Sequence, residues 1–328
     1  MLTSPEQEAV QITQTTQKKF SPETVGFWCA LASAVCYTCS LGAMRGLTNY
    51  DVSPLWSLGV KETFTVVCVM PYIIIQTLRG KYRFQWSAFW ALLCAGFVCQ
   101  VFGAIPHLWA YAVIGLTLAT PLVQAAQLIF SSIIGAVWLK ERVTRSKIVA
   151  LVLLIIAVFL LSGVGSDDMI AGKEIRLGLG VLLTMCTALG YCGQLSIMRC
   201  VLREEDNQKK SDRVRTPTTL VMVAVTGAGV VVCGIVLTAQ KGVGVWLEPP
   251  VECWKFAITA GLVNMAAFAL QIESLRRLYI LKQALIATAQ TAALCLVGVF
   301  VFGEAFGILT ALGIALVLAG VIVSSFSK

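Results

Sequence analysis

The distribution of apolar residues along this chain predicts a series of membrane-spanning helices. Long apolar stretches alternate with short polar segments, and about 20 residues is the length of helix that crosses about 30 Å of hydrocarbon. We predict ten spans, at residues 24–44, 55–78, 86–113, 116–139, 145–164, 177–199, 217–240, 254–275, 279–302 and 305–326. The joints between the third and fourth spans and between the ninth and tenth spans are very short.

One long stretch of the chain occurs twice. Residues 118–162 align without a gap on residues 281–325, at a shift of 163 residues. The alignment pairs Gln127 with Gln290, Gly135 with Gly298, and Glu141 with Glu304. The joints VIGLTLAT and GEAFGILT lack the basic residues of their counterparts RRLYILKQ and KERVTRSK. Because basic loops stay on the cytoplasmic side of a membrane, the two copies should be inverted relative to each other, as in many transporters.

Composition and charge support the membrane class. Hydrophobic residues make up 58% of the 328 residues and charged residues only 13%, which is too apolar for an average soluble protein. The net charge of +8 comes mostly from Lys and Arg in segments on one side of the predicted spans. This bias predicts that both termini are cytoplasmic, with the plasma (inner) membrane as the expected location, and it does not indicate a nucleic-acid partner.

The predicted organisation is two halves of five spans each. A cytoplasmic tail covers residues 1–23, the first repeat 24–164, an external linker 165–176 and the second repeat 177–326. The first 20 residues lack the basic start and short apolar core of a cleaved signal peptide, so the first span should remain in the membrane.

Two glutamines mark the expected centre of the bundle. Gln127 lies near the middle of span four and Gln290 near the middle of span nine, at equivalent positions of the repeat. Both should therefore approach the pseudo-two-fold axis, where an inverted-repeat transporter binds its substrate. Hydrogen bonding between helices alone is the other interpretation of these amides.

A second polar group is predicted in the outer half of the first repeat. Lys61 and Glu62 lie in span two, and His107, the only histidine, lies at a similar depth in span three. Because adjacent helical residues point about 100° apart, we expect one of Lys61 and Glu62 to line the cavity while the other turns outward or pairs with a neighbouring helix. Proton coupling through Glu62 or His107, with Lys61 beside them, is a hypothesis.

The second repeat has its polar residues at mid-depth and toward the inside. Asn264 is central in span eight, and Gln271 lies nearer the cytoplasm. Glu273 is spaced for ion pairs with Arg276 and Arg277 at the helix end.

The repeat resembles the EamA unit of the drug/metabolite transporter superfamily. The segment ATPLVQAAQLIFSSIIGAVWLKERVTRSKIVALVLLIIAVFLLS has Pro121 at the start of span four, Glu141 after it, Thr144 three residues on, and then an apolar span. The second copy, FGEAFGILTALGIALVLAGVIV, keeps the Glu and a Gly-rich final span. The resemblance covers about 24–164 and 177–326. Ala284 stands where Pro121 stands in the first copy, so a matching kink in span nine does not follow.

The resemblance implies ten helices in two inverted five-helix units, alternating access, and a cavity lined by spans one, three, four, six, eight and nine. The candidate substrate-binding residues on that lining are Tyr37, His107, Gln124, Gln127, Gln194, Asn264, Gln271 and Gln290. The expected substrate is a small polar or amphipathic metabolite, with proton or counter-substrate coupling.

Other functions fit the sequence less well. A polytopic enzyme acting on lipid-linked substrates needs a catalytic cluster, and one histidine with few acids near the membrane supplies little acid/base or metal chemistry. No G-x-x-x-x-G-K-[ST] segment for ATP is present, and no cofactor or metal is expected. A receptor or scaffold that works through the charged loop LREEDNQKKSDRVRTP is a third interpretation.

Overall fold

The protein is described by a computed structural model. It covers residues 21–47, 50, 52–80, 86–140, 145–162, 177–207, 216–291, 293, 296–297 and 308–325. Most of the predicted N-terminal tail, the linker 165–176, and Glu141, Gly298 and Glu304 lie outside the described residues.

The described residues form ten α-helices and no strand, which confirms the all-α prediction and its number of helices. In chain order these are α1 (Pro22–Gly46), α2 (Pro54–Leu78), α3 (Trp86–Val98), α4 (Ile105–Val137), α5 (Arg145–Ser162), α6 (Leu177–Asn207), α7 (Thr218–Lys241), α8 (Val251–Arg277), α9 (Ile280–Ala287) and α10 (Ile308–Ser325). A π-helical segment, Cys99–Ala104, joins α3 to α4, and a 3-10 turn, Val243–Trp246, follows α7.

Six described segments are long and apolar enough to cross a membrane. They are Pro22–Met44, Leu55–Leu78, Trp86–His107, Gly178–Leu202, Thr218–Lys241 and Val251–Arg277. They coincide with predicted spans one, two, three, six, seven and eight.

The predicted joint between spans three and four lies inside α4, which is helical from Ile105 to Val137. A Cβ at Gly190 of α6 would touch the backbone of Gly103, and Cys192, two residues further along α6, donates to the carbonyl of Gln127. A straight helix would separate Gly103 from Gln127 by about 36 Å. Because both lie beside the same turn of α6, the chain bends back between them and passes along α6 twice.

Span nine is interrupted although it lacks the proline of its counterpart. The helix α9 ends at Ala287, and Thr288 forms a turn in which its hydroxyl donates to the carbonyl of Leu285 at 2.6 Å. Helical structure resumes at Ala289 and Gln290. Thr288 keeps its own backbone hydrogen bond to Ala284 at 3.3 Å, so the interruption is a local turn without a proline.

The helices pack in a paired pattern. The main interfaces are α1 with α8, α4 with α6, α5 with α10, α2 with α7, α3 with α7, and α2 with α8. A large apolar core joins α2, α3, α6, α7 and α8 toward the end of the bundle where α6 and α8 finish. The buried side chains of this core include Leu195, Met198, Leu202, Ile272, Leu275 and Ile280.

Candidate functional site

The interface of α1 with α8 fixes the side chain of Tyr37. The Tyr37 hydroxyl donates a hydrogen bond to Oε1 of Gln271 at 2.9 Å. Ser33 and Ser40, on the same helix as Tyr37, donate to backbone carbonyls of α8 at 2.8 and 2.9 Å. Hydrogen bonds between membrane helices contribute about 0.6 kcal/mol each on average, so these three hold α1 in place against α8.

A second tyrosine pair joins α6 to the start of α4. The Tyr191 hydroxyl lies 3.2 Å from Nδ1 of His107, within hydrogen-bonding distance. The two rings meet edge to face, with centroids 5.8 Å apart and an interplanar angle of 78°. The structure therefore places His107 beside Tyr191.

Tyr37 and Tyr191 occupy matching positions in similar sequences. Tyr37 ends the segment AVCY on α1, and Tyr191 ends the segment ALGY on α6, at a shift of 154 residues. Each tyrosine bonds a polar residue on the helix that crosses its own. Sequence reasoning selected Tyr37, His107 and Gln271 but missed Tyr191, and this short alignment is the signal that finds it.

Two glycines bring the backbones of α6 and the π segment into contact. A Cβ at Gly190 would collide with the backbone nitrogen of Gly103, and a Cβ at Gly103 would lie 2.9 Å from the Tyr191 ring. The absence of side chains at both glycines thus lets the Tyr191 ring lie against the backbone of the π segment. Irregular helical turns of this kind occur frequently at functional sites.

Each of the two predicted central glutamines has its backbone carbonyl in contact with a side chain of another helix. The Cys192 thiol donates to the backbone carbonyl of Gln127 at 3.4 Å. The Thr38 hydroxyl bonds its own helix at 2.8 Å and makes a longer contact of 3.5 Å with the backbone carbonyl of Gln290. Thr38 and Cys192 follow the two matched tyrosines directly, and both glutamine side chains are half-buried.

The remaining candidates lie on the same helix faces. Gln124 is one turn before Gln127, and Gln194 is one turn after Tyr191, so each shares a face with its neighbour. Both are half-buried. Asn264 lies two turns before Gln271 on α8 and is buried, with 5% of its surface exposed.

Lys61 and Glu62 pair with each other, whereas the sequence predicted that one would line the cavity and the other would turn outward or pair with a neighbouring helix. Nζ of Lys61 lies 3.2 Å from Oε1 of Glu62, so the two residues form an ion pair with each other. The side chains are only 16% and 9% exposed. The reason is the length of the Lys side chain, which reaches across the difference in direction between adjacent helical positions.

The ion pair lies among α2, the π segment and α7. A Cβ at Gly229 would lie 2.6 Å from Nε2 of Gln100 and 3.1 Å from Cγ of Glu62, which places both side chains against α7. Oε1 of Gln100 is buried and has no hydrogen-bond partner among the described residues. The Glu62 carboxylate also lies within electrostatic reach of Tyr37. Sequence reasoning missed Gln100.

Buried arginines tie the helices together at one end of the bundle, here called the basic end. Nη1 of Arg199 on α6 donates to the carbonyl of Leu275 on α8. Nη2 of Arg276 donates to the carbonyl of Thr216, just before α7, at 2.6 Å. Arg199 and Arg276 are 7% and 6% exposed.

Glu273 balances the arginines of α8. Its carboxylate lies 3.4 Å from Nε of Arg276 and 2.6 Å from Nη1 of Arg277, which confirms the predicted ion pairs. It also accepts a hydrogen bond from the Thr218 hydroxyl at 2.8 Å. The end of α8 is thereby bound to the start of α7.

No group of three or more His, Cys, Asp or Glu residues that could hold a metal ion occurs in the part of the chain that the structure describes. The six long apolar helical segments define a multi-pass helical membrane protein.

The family comparisons identify its class as a small-molecule transporter. Residues 62–243, more than half of the chain, match the family model described as purine nucleobase transmembrane transport, and the chain belongs to that family. Residues 208–326 match the EamA-like transporter family. Membership of the drug/metabolite transporter superfamily, predicted from the repeat, is thereby confirmed.

Solved structures share the fold. One crystal structure aligns over 92% of this chain and 96% of its own, with a TM-score of 0.71 and 15% sequence identity. At this identity the likeness concerns the fold alone. No curated protein sequence matches the chain.

Proposed function

We propose that this protein is a secondary transporter that moves a small polar or amphipathic metabolite by alternating access through a central cavity between two inverted five-helix units. The observation that carries the proposal is that contacts in one half of the chain recur at matching positions in the other half. Inverted units that can exchange their packing are the basis of alternating access.

The first two recurring contacts surround the centre. Tyr37 bonds Gln271 on α8, and its counterpart Tyr191 bonds His107 at the start of α4. The residue after each tyrosine contacts the backbone carbonyl of a repeat-related glutamine, Gln290 in one case and Gln127 in the other. These two kinds of contact support the proposed symmetry of the two halves.

The third recurring contact is a close helix crossing at a glycine. A Cβ at Gly96 would lie 2.5 Å from the carbonyl oxygen of Val225 and 2.7 Å from Cβ of Ala228. A Cβ at Gly261 would lie 2.8 Å from Cβ of Phe64 and 3.4 Å from the carbonyl oxygen of Lys61. In each of these two helix crossings, the glycine lies against a backbone carbonyl of the partner helix and against the side chain three residues further along that helix. The glycine is on α3 and the partner helix is α7 in the first crossing. In the second crossing the glycine is on α8 and the partner helix is α2.

The proposed substrates are purine nucleobases, on the strength of the description of the family. Such molecules are small and planar and carry hydrogen-bond donors and acceptors on their edges. Gln124, Gln127, Gln194, Gln271 and Gln290 offer amides that can both donate and accept without the cost of burying a charge.

The ion pair of Lys61 and Glu62 is the proposed coupling site. A buried carboxylate in a membrane helix is costly, and such groups commonly belong to proton relays. Protonation of Glu62 would release Lys61 and change the field at Tyr37, which connects the pair to the proposed substrate site.

The proposed state is closed at the basic end, which we take to face the cytoplasm. Arg199 joins α6 to α8 there, and the apolar core around Leu202, Ile272 and Leu275 fills the same level. Both termini would be cytoplasmic and the protein would lie in the plasma membrane.

The proposal is tested by flux through purified protein in liposomes. We expect saturable uptake of radiolabelled adenine, recovered chemically unchanged, with a rate that responds to a pH gradient. Folded protein that takes up none of adenine, guanine or hypoxanthine would contradict the proposed substrates. Uptake that ignores the pH gradient would contradict the coupling alone.

A further inference from the structure

We propose that Tyr37 and Tyr191 are paired recognition residues whose ring faces, rather than their hydroxyls, contact a flat heteroaromatic substrate. This inference rests on the proposed function and adds a residue, Tyr191, and a mode of recognition to it. The two rings come from similar short segments, AVCY on α1 and ALGY on α6, and would present similar surfaces to the substrate.

The hydroxyls of both tyrosines already have partners within the protein. Tyr37 donates to Gln271 at 2.9 Å, and Tyr191 lies 3.2 Å from Nδ1 of His107. A phenol that bonds a neighbouring helix has little left to offer a ligand except the ring itself. The polar edges of a substrate would therefore be read by other groups. The half-buried glutamines Gln127 and Gln290 are the candidates, because their backbone carbonyls contact Cys192 and Thr38, the residues that follow the two tyrosines.

Both tyrosines keep part of their surface accessible although each lies at a contact between helices. Tyr37 is half-buried where α1 meets α8. Tyr191 and its partner His107 are both half-buried where α6 meets the start of α4. The accessible part of each tyrosine is the surface that it offers to a substrate.

Each ring is held rigidly from behind. The Tyr191 ring lies against Gly103, where a Cβ would approach it to 2.9 Å, and His107 meets its edge. Tyr37 is positioned by its bond to Gln271 and by the flanking bonds of Ser33 and Ser40. Fixed rings contribute more to binding than mobile ones because less side-chain freedom is lost when the ligand binds.

The chemistry of such a pair selects flat aromatic ligands. Aromatic faces stack on heterocyclic bases, and removal of one stacking side chain commonly weakens binding by about 5-fold to more than 100-fold. Two fused rings offer more stacking area than one. We therefore expect the site to prefer bicyclic over monocyclic bases.

The test is equilibrium binding of radiolabelled adenine to the purified full-length protein, with each tyrosine replaced by Phe or by Met. Met keeps much of the volume and removes the ring. We expect Tyr191→Met and Tyr37→Met to raise the Kd for adenine at least about tenfold, and the Phe variants to raise it by no more than about threefold. Tyr72→Met is the matched control, because Tyr72 is 53% exposed on α2, and its Kd should equal that of the wild type.

The outcomes separate this inference from the proposed function. Wild-type protein that binds no nucleobase overturns the proposed function. Wild-type binding with unchanged affinity in both folded Met variants overturns the paired tyrosines alone, as does an equal loss with Phe and Met, since the hydroxyl would then be the recognised group. If the Met variants do not fold, competition on the wild type decides: uracil should compete at least about tenfold less well than adenine, and equal competition overturns the stacking role.

Discussion

The hydroxyl of Tyr37 donates a hydrogen bond to Oε1 of Gln271, 2.9 Å away, and thereby joins α1 to α8. The corresponding bond in the other half joins Tyr191 to His107. An imidazole and a carboxamide thus perform the same task in the two halves, which each can do because both carry an acceptor next to a donor.

The first prediction concerns these two partners. Gln271→Leu removes the acceptor of the Tyr37 hydroxyl and should destabilise the protein by about 1–3 kcal/mol, the usual cost of an unsatisfied buried donor. Gln271→His restores an acceptor and should recover most of that loss. Thermal unfolding in detergent measures both. Equal midpoints for the Leu and His variants would show that the bond does not hold the helices.

A second prediction concerns the glutamines at the proposed centre. Gln127→Leu and Gln290→Leu should each raise the KM for adenine by about tenfold, the effect of losing one or two ligand hydrogen bonds of about 1 kcal/mol each. Their backbone carbonyls, which accept from Cys192 and face Thr38, are unchanged, so the fold should persist. Unaltered uptake kinetics in both variants would remove these amides from the site.

The third prediction separates structure from coupling at Lys61 and Glu62. Lys61→Met leaves a buried carboxylate without its partner and should cost about 3 kcal/mol, the lower end of the usual range because Lys61 is 16% exposed. The double variant Lys61→Met/Glu62→Gln removes both charges and should regain most of the stability. Its uptake should no longer respond to a pH gradient.

Two results with the double variant Lys61→Met/Glu62→Gln would contradict this prediction. A midpoint as low as that of the single variant would mean that the two side chains do not compensate each other. A stable double variant that still responds to the pH gradient would move the coupling to another group.

The sequence predicted most of the fold because apolar length and basic loops are properties of each segment alone. The spans around Lys61, His107 and Asn264 could be placed in this way. The pairing of Lys61 with Glu62 could not, since it depends on how a long side chain bends rather than on the direction of its Cβ. Tyr191 was missed because a tyrosine in an apolar helix is an ordinary core residue until its partner His107 is located.

The turn after Ala287 could not be predicted either, for a similar reason. Proline is the usual signal for a kink, and no proline marks the turn at Thr288. The π segment Cys99–Ala104 also has no composition that distinguishes it from the α-helix on either side.

A fourth prediction tests the contact of α6 with the π segment. Gly190→Ala would place a methyl group in collision with the backbone nitrogen of Gly103, so α6 and the π segment must separate. We expect a loss of about 1–3 kcal/mol in stability and a marked loss of uptake. Gly227→Ala on α7 is the control, since nothing lies within 4 Å of its Cβ, and it should be neutral or stabilising by up to about 1 kcal/mol. Equal behaviour of the two variants would argue against the close crossing.

The final prediction concerns Arg199 as a latch at the basic end. Its guanidinium donates to the carbonyl of Leu275 and joins α6 to α8, whereas Arg277 bonds Glu273 on its own helix. Because a hydrogen bond from a charged group contributes about 1.5–3 kcal/mol, Arg199→Met should shift the equilibrium toward opening at this end by about tenfold or more. Arg277→Met, which loses a charge without releasing that link, should shift it far less.

The opening can be followed at Ile272, which is fully buried in the core of the basic end. A cysteine introduced there, in a variant without the native cysteines, should react with a membrane-impermeant thiol reagent about tenfold faster when Arg199→Met is added. The Arg277→Met background should label at nearly the starting rate. Equal labelling in all three backgrounds would mean that apolar packing alone closes this end, because the link from α6 to α8 could then be cut without changing access to Ile272.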